Sequence, residues 1–291
     1  MISPTLNKSF KVPPLGLLGL IAVFAAIFLH LNVSADTYSH LAISITFVAA
    51  AYSTLADKYP HLKLETNLPS AFVAIAILGI LLLKSVGAPG EKFIGFFPLF
   101  AFIGIALLAS SLQGLKQYRQ ELIVFFFLGL PRLALAVIPN LLAPVTAVAS
   151  SYLLWYTGVA VTLQNNNVIR LPNGGVEVVP SCSGLNLMLY MLGVAVLFLV
   201  LFPTSKQQKI MLPIVAVALG FLVNAVRVAL LAIFSTYSDK NMFEYWHSQD
   251  GALIFVCIAV LLFGGLCFLV LKPQRADPID SQNQKSHQNN A

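Results

Sequence analysis

The dominant pattern along the chain is a series of long apolar segments separated by short polar ones. A transmembrane helix needs roughly 20 mostly apolar residues. None of the segments alternates apolar and polar residues as a lipid-facing barrel strand does. The pattern therefore predicts an all-α polytopic membrane protein, whose helices satisfy their backbone groups internally. The eight predicted spans are Leu15–Leu31, Tyr38–Ala56, Leu68–Leu83, Phe93–Leu112, Asn140–Leu163, Leu185–Phe202, Ile210–Phe234 and Gly251–Leu271.

A ninth apolar stretch, Glu121–Ile138, is interrupted by Pro131 and Arg132. If this stretch crossed the membrane, the basic loops after it would lie on the opposite side from Lys116. Because short cytoplasmic loops carry an excess of Lys and Arg, a re-entrant or interfacial segment is more consistent. We therefore predict about eight transmembrane helices plus one such segment, with Arg132 and both chain ends on the cytoplasmic side.

This topology divides the chain into a cytoplasmic N-terminus (1–14), an integral membrane domain (15–271) and a cytoplasmic tail (272–291). The tail is polar and rich in Gln and Asn, so it is expected to be disordered. Two polar segments, 164–181 and 235–250, are predicted to be external.

The first external segment has the pattern of a β-hairpin. Val168–Leu171 and Val176–Val179 are the predicted strands, and Pro-Asn-Gly-Gly between them is a turn sequence. The second external segment contains Tyr245 and Trp246, side chains suited to the membrane interface.

Composition narrows the class of protein. Of 291 residues, 58% are hydrophobic and only 10% charged, against roughly 25% charged in soluble domains. The net charge of +6 comes from short basic clusters between apolar segments, a distribution that orients membrane proteins and does not indicate nucleic-acid binding. The three cysteines form no CxxC pair, so neither a zinc site nor a disulfide framework is predicted, and no metal or cofactor is expected.

Cys182 directly precedes a predicted helix on the external side. The positive end of a helix dipole and the free N–H groups of the first turn favour a thiolate there, and they could also stabilise an oxyanion. The alternative is a small residue that simply fits a tight turn.

Arg227 lies within an apolar span, about 10 Å from its outer end at 1.5 Å per residue. Charged residues at membrane depth usually face a protein interior or polar cavity. Asn224, three positions earlier, shares its helix face. A snorkelling arginine is the alternative explanation.

His247 precedes the last span on the same side of the membrane. A single interfacial histidine is commonly just solvated. Together, however, Cys182, Arg227 and His247 supply a thiol, a base and a cation, the parts of a cysteine acyl-transfer site.

These residues resemble the exosortase/archaeosortase family, and most closely its cyanobacterial branch. The resemblance rests on PSCSGLN before an apolar helix, NAVR within the next span and WHSQDG before the last, and it covers roughly Leu122–Leu271. The resemblance implies that Cys182 is the nucleophile, His247 the general acid/base and Arg227 the oxyanion or substrate binder. Ser183, Gly184 and Asn224 are expected to support the site or bind substrate. Asn186 is a departure, because many members have Arg there.

The activity implied by this resemblance is that of a multi-pass cysteine transpeptidase of the bacterial plasma membrane, with its catalytic face external. Its expected partners are the lipid bilayer and exported proteins with a C-terminal signal: a Pro-Glu-Pro-like motif, a hydrophobic helix and a basic tail. The product would pass to an acceptor.

Three other interpretations remain open. A transporter or export-assembly component would place Arg227 on a substrate path and leave Cys182 dispensable. A different intramembrane protease could use Ser181 or Ser183, although no HExxH motif indicates a metalloprotease. The third is a structural scaffold without activity.

Overall fold

The computed structural model of the chain describes residues 9–35, 37–87, 89–137, 141–236 and 240–270. The predicted disordered tail (272–291) and residues 1–8 of the predicted N-terminal segment lie outside these ranges. The described helices are α1 (Pro14–Ser34), α2 (Tyr38–Lys58), α3 (Leu68–Ser85), α4 (Glu91–Gly114), α5 (Arg119–Val137), α6 (Leu142–Tyr156), α7 (Leu185–Leu201), α8 (Lys206–Phe234), α9 (Lys240–His247) and α10 (Gln249–Val270).

Strands are few and short in the described residues. Two of them, β1 (Ser9–Phe10) and β2 (Thr66–Asn67), pair near the start of α3. The other three form one antiparallel sheet: β3 (Thr162–Gln164), β4 (Val168–Leu171) and β5 (Gly174–Glu177). The predicted all-α polytopic class is therefore confirmed.

Seven helical segments within the described ranges are long and apolar enough to cross a membrane. One of them, Glu91–Ala134, contains α4 and most of α5. These two helices are antiparallel neighbours, because Phe102 packs against Phe125 (ring centroids 5.1 Å apart) and Gly95 packs against Arg132.

The predicted span Asn140–Leu163 is too long. Asn140 lies outside the described residues, and helix α6 ends at Tyr156. Gly158 adopts φ +82°, and the N–H of Val159 donates to the carbonyl of Leu154 (3.2 Å), which is the hydrogen-bond pattern of a glycine helix stop. The residues after this stop lead into β3 instead of continuing the helix.

The second predicted strand is displaced by two residues. Leu171 pairs with Gly174, so the connection is only Pro172-Asn173, and both glycines belong to β5. A Cβ on Gly174 would lie 2.7 Å from the carbonyl oxygen of Ser235, at the end of α8. The glycine is thus required by close packing of the sheet on α8.

The charge pattern predicted that Arg132 lies on the same side of the membrane as Lys116. That prediction is wrong. The backbone amide of Lys63 bonds to the side chain of Gln117, which places the two basic loops together at one end of the bundle. Arg132 instead reaches Glu91 at the opposite end of α4 (Nη1–Oε2 3.2 Å). The reason is that α5 is a 19-residue helix that runs antiparallel to α4.

Helices α7, α8 and α10 share an apolar core, and a second core lies between the three-stranded sheet, α6 and α8. A buried ion pair connects α2 to the start of α5: Lys58 Nζ lies 2.8 Å from Glu121 Oε2, and Thr54 donates to Oε1 (2.7 Å). Lys58 also donates to the carbonyl of Gln117, so these contacts join α2 to α5 at the Lys63 end of the bundle, opposite the end where β5 leads into α7.

Candidate active site

Cys182 lies in a tight turn between the sheet and α7. Residues Pro180–Cys182 form one turn of 3₁₀ helix, in which the N–H of Cys182 donates to Val179 O (2.9 Å). Gly184 follows with φ +86°, a conformation that strains any residue with a Cβ. This reversal places Cys182 just ahead of α7, and Gly184 provides no side-chain cap for the first-turn N–H groups.

The backbone of this turn is held from two sides. Asn224 on α8, only 2% exposed, donates from Nδ2 to the carbonyl of Cys182 (3.0 Å). Thr146 on α6 donates to the carbonyl of Ser183 (2.7 Å). A Cβ on Gly184 would lie 2.7 Å from Nδ2 of Asn224, so the absence of a side chain there permits the contact.

His247 is the last residue of α9, and its Nε2 lies 3.4 Å from the sulfur of Cys182. Phe243, one turn earlier, stacks on the imidazole with ring centroids 5.6 Å apart and planes inclined by 10°. Trp246 packs against Phe234 and Phe255 (centroids 5.9 Å in both cases) and anchors α9 to α8 and α10. The predicted external loop therefore contains a helix that presents His247 to the thiol.

Arg227 connects α8 to the end of α9. Its Nη2 donates to the carbonyls of His247 (3.1 Å) and Trp246 (3.4 Å), acceptors at a helix C-terminus that attract a cation. The residue is 8% exposed, and its Nε is buried without a hydrogen-bond partner in the described chain. Asn224 and Arg227 thus share a face of α8, one facing the cysteine turn and the other the histidine helix.

A cavity of about 970 Å³ opens beside these groups. Cys182, Arg227, His247, Gly184 and Asn224 all line it. Ser183, by contrast, is buried, and its hydroxyl donates to Pro180 O (2.7 Å), so it supports the turn. On this wall the thiol and the imidazole are in contact with each other, and a guanidinium lies nearby. These groups can perform acyl transfer.

The far wall of the cavity is charged. It contains Glu91 and Lys92 at the start of α4, Arg132 of α5, and Asn186 and Tyr190 of α7. The side chain of Arg132 is only 9% exposed, whereas that of Glu91 is 69% exposed.

The family model for transmembrane exosortases (EpsH type) matches residues 32–264, which include both walls of this cavity. The chain belongs to the transmembrane exosortase family. Membership indicates a membrane-embedded sorting transpeptidase and a multi-pass membrane protein. The match begins well before the motif-bearing region that starts near Leu122. No curated protein and no solved structure matches the chain.

Several residues that shape this exosortase site were not predicted. Phe243 precedes His247 by four positions, a spacing that on a helix would have indicated the stacked pair. Thr146 and Ser150 are also four apart within an apolar segment, and both are fully buried with hydroxyls that donate to backbone carbonyls. Polar residues at this spacing in a membrane helix often bind a neighbouring segment.

Proposed function

We propose that this exosortase is a cysteine transpeptidase similar to the cyanobacterial members of the family. It cleaves a C-terminal sorting signal of the Pro-Glu-Pro type from exported proteins at the outer face of the bacterial plasma membrane, and it transfers the product to an acceptor. The observation that carries this proposal is the 3.4 Å contact between the Cys182 sulfur and His247 Nε2 on the wall of a large cavity.

In the first half-reaction, His247 takes the proton of the Cys182 thiol. The thiolate attacks the scissile carbonyl carbon, an S–C bond forms, and the carbonyl oxygen becomes an oxyanion. The nearby Arg227 and the uncapped first-turn N–H groups of α7 are the groups available to stabilise that charge. The C–N bond then breaks, and the proton passes from His247 to the leaving amine, which departs with the hydrophobic helix.

In the second half-reaction, the thioester reacts with an acceptor nucleophile, either an amine or hydroxyl group or water. The acceptor loses its proton to His247 as it attacks the thioester carbonyl. The S–C bond breaks, and the proton returns to Cys182. Both half-reactions therefore use the same Cys–His contact, with no other redox or proton partner required.

The geometry favours cysteine over the neighbouring serines as nucleophile. The hydroxyl of Ser183 is bound to a carbonyl within its own turn, and the imidazole contacts the sulfur of Cys182. Ser181 lines the cavity and is exposed, so it is the serine that a test should include.

The test is a processing assay in native-like membranes with a co-expressed reporter that ends in a Pro-Glu-Pro-type signal. We expect the wild type and Ser181→Ala to shorten the reporter, and Cys182→Ala, Cys182→Ser and His247→Gln to leave it intact. Cys257→Ala on α10 is the matched control for loss of a thiol. Processing by Cys182→Ala at the wild-type rate would refute the nucleophile and would favour the transporter or assembly interpretation.

A further inference from the structure

The cavity contains a second cluster of polar groups that the acyl-transfer steps do not use. The charged residues of its wall are Glu91, Lys92, Arg132 and Arg227, which leave a net formal charge of +2 with His247 neutral. Arg227 belongs to the catalytic wall, so the surplus on the far wall comes from Lys92 and Arg132. A basic cavity between apolar helices is suited to an anionic ligand.

Arg132 is incompletely paired for a residue so deeply buried. Only its Nη1 reaches Glu91, at 3.2 Å from the carboxylate and 3.4 Å from the carbonyl oxygen. Its Nε is buried and has no hydrogen-bond partner among the described residues. The guanidinium also donates to the hydroxyl of Tyr190. Because a guanidinium offers five donors in a planar fork that matches a carboxylate, these contacts still leave binding capacity unused.

Glu91 is a displaceable partner for Arg132. Its side chain is 69% exposed, and it contacts the guanidinium through one oxygen. The Glu91 carboxylate is already largely solvated, so turning to water costs it little free energy, provided that the buried Arg132 gains another partner. A second carboxylate arriving from the cavity can therefore replace it on Arg132.

Asn186 extends the same polar surface toward Cys182. Asn186 and Tyr190 are four residues apart on α7, so both face the cavity, and Oδ1 of Asn186 is buried without a hydrogen-bond partner in the described chain. Tyr190 hydrogen-bonds to Arg132, so the distance from Cys182 to Tyr190 approximates the distance to the subsite. Five residues of helix from Leu185 to Tyr190 advance about 7.5 Å, and the turn at Cys182 adds a few ångströms more. An extended peptide advances about 3.3 to 3.6 Å per residue, so this distance corresponds to roughly three residues.

We propose that Arg132, with Lys92 beside it, is the subsite that binds an acidic side chain of the substrate polypeptide within about three residues of the scissile bond. This inference rests on the proposed function, because it assumes that a peptide lies across Cys182. Glu91 occupies Arg132 until the substrate carboxylate displaces it, and Oδ1 of Asn186 accepts an N–H group from the peptide between the two sites.

A peptide carboxylate fits these observations better than the phosphate of a lipid acceptor. The substrate peptide must lie in the cavity during the first half-reaction, and its side chain then reaches Arg132 at no further cost in translational freedom. An acceptor enters only after the thioester has formed.

The test uses the full-length enzyme and compares its rates on two reporters. One reporter carries the Glu of the Pro-Glu-Pro-type signal, and the other carries Gln in its place. In the wild type we expect the acidic reporter to be processed at least about tenfold faster, as loss of a charged hydrogen bond predicts. Arg132→Gln should bring the ratio of the two rates close to one. Glu91→Gln should raise the rate on the acidic reporter, because the competing carboxylate is gone. Arg170→Gln in β4 is the matched control and should retain the wild-type ratio.

The two cavity variants break the same ion pair, so they separate binding from structure. Equal losses on both reporters in Arg132→Gln and Glu91→Gln would show a purely structural pair and would overturn the proposal. An unchanged ratio in Arg132→Gln, with the thioester accumulating, would assign the cation to the acceptor instead. If the wild type processed neither reporter while Cys182→Ala behaved identically, the proposed function itself would fail, and the subsite with it.

Discussion

In the proposed mechanism Arg227 holds His247 against the thiol, and it also donates to the developing oxyanion. Two substitutions distinguish these two roles. Arg227→Met retains an apolar stem of similar length without the charge or the donors. Arg227→Lys retains the charge but replaces the planar fork with a compact ammonium. The wild-type side chain donates to the carbonyl of His247 at 3.1 Å and lies beside the Cys182 sulfur on the cavity wall.

The magnitude follows from these contacts. A hydrogen bond from a charged donor stabilises by about 1.5 to 3 kcal/mol, and the 3.4 Å contact to Trp246 is too long to add much. If that energy holds His247 against the thiol, its loss lowers the reactive population about 10- to 150-fold. Loss of a donor to the developing oxyanion adds about 100- to 1,000-fold. Arg227→Met should therefore lower processing at least about 1,000-fold, and Arg227→Lys by less.

The assay measures single-turnover processing in proteoliposomes together with the alkylation rate of Cys182 by iodoacetamide. Cys257→Ser and Cys267→Ser in the background leave Cys182 as the only thiol. The alkylation rate follows the state of the thiol before any substrate is bound, whereas processing also depends on the oxyanion. We expect Arg227→Lys to preserve alkylation better than processing.

Arg170→Met on the exposed face of β4 is the control for loss of an arginine outside the cavity. An Arg227→Met protein that retains the wild-type melting temperature and processes within threefold of the wild-type rate would refute the reasoning. In that case neither the position of α9 nor the oxyanion would depend on this side chain.

Three further predictions test the scaffold of the site. Gly184→Ala should lower processing at least about tenfold. A left-handed residue with a Cβ is strained by about 1–2 kcal/mol, and the new Cβ would also displace the Asn224 amide that binds the cysteine turn. The melting temperature in detergent measures the first effect, and the processing rate measures both. Phe243→Ala should slow processing with little change in melting temperature, because it removes the ring stacked on His247, and Phe243→Tyr should restore the rate. Lys58→Met should destabilise the fold by about 3–5 kcal/mol, because it leaves the fully buried Glu121 carboxylate unpaired. The double variant Lys58→Met/Glu121→Met should recover most of that stability. A thermal unfolding assay measures both.

The spans were predictable because the length of an apolar segment is a direct consequence of membrane thickness. Seven of the eight predicted spans begin and end within a few residues of a helix, for example Tyr38–Ala56 against Tyr38–Lys58. The exception is the predicted span ending at Leu163. There, composition remains apolar after the helix has stopped, and the stop depends on a single glycine in the left-handed conformation.

The candidate site was predictable only as a set of residue types on one side of the membrane. Helix periodicity placed Asn224 and Arg227 on one face, but α9 is short and polar, and its order comes from tertiary contacts such as those of Trp246. The position of Arg132 was not predictable from the excess of Lys and Arg in cytoplasmic loops. That rule assigns a residue to one side of the membrane and takes no account of a cavity that a helix can face.

Helix α8 explains how residues so distant in sequence form one site. Asn224 binds the carbonyl of Cys182, and Arg227 binds the carbonyl of His247, so two segments 65 residues apart are held by donors that lie about 4.5 Å apart along one helix. The separation of thiol and imidazole is therefore set by the register of α8 against both. An arginine at this depth costs about 2.5–3.5 kcal/mol on insertion, and the contacts it makes to the end of α9 are of the size needed to offset that cost. The same helix face that makes the span expensive to insert is thus the one that fixes the geometry of the proposed chemistry.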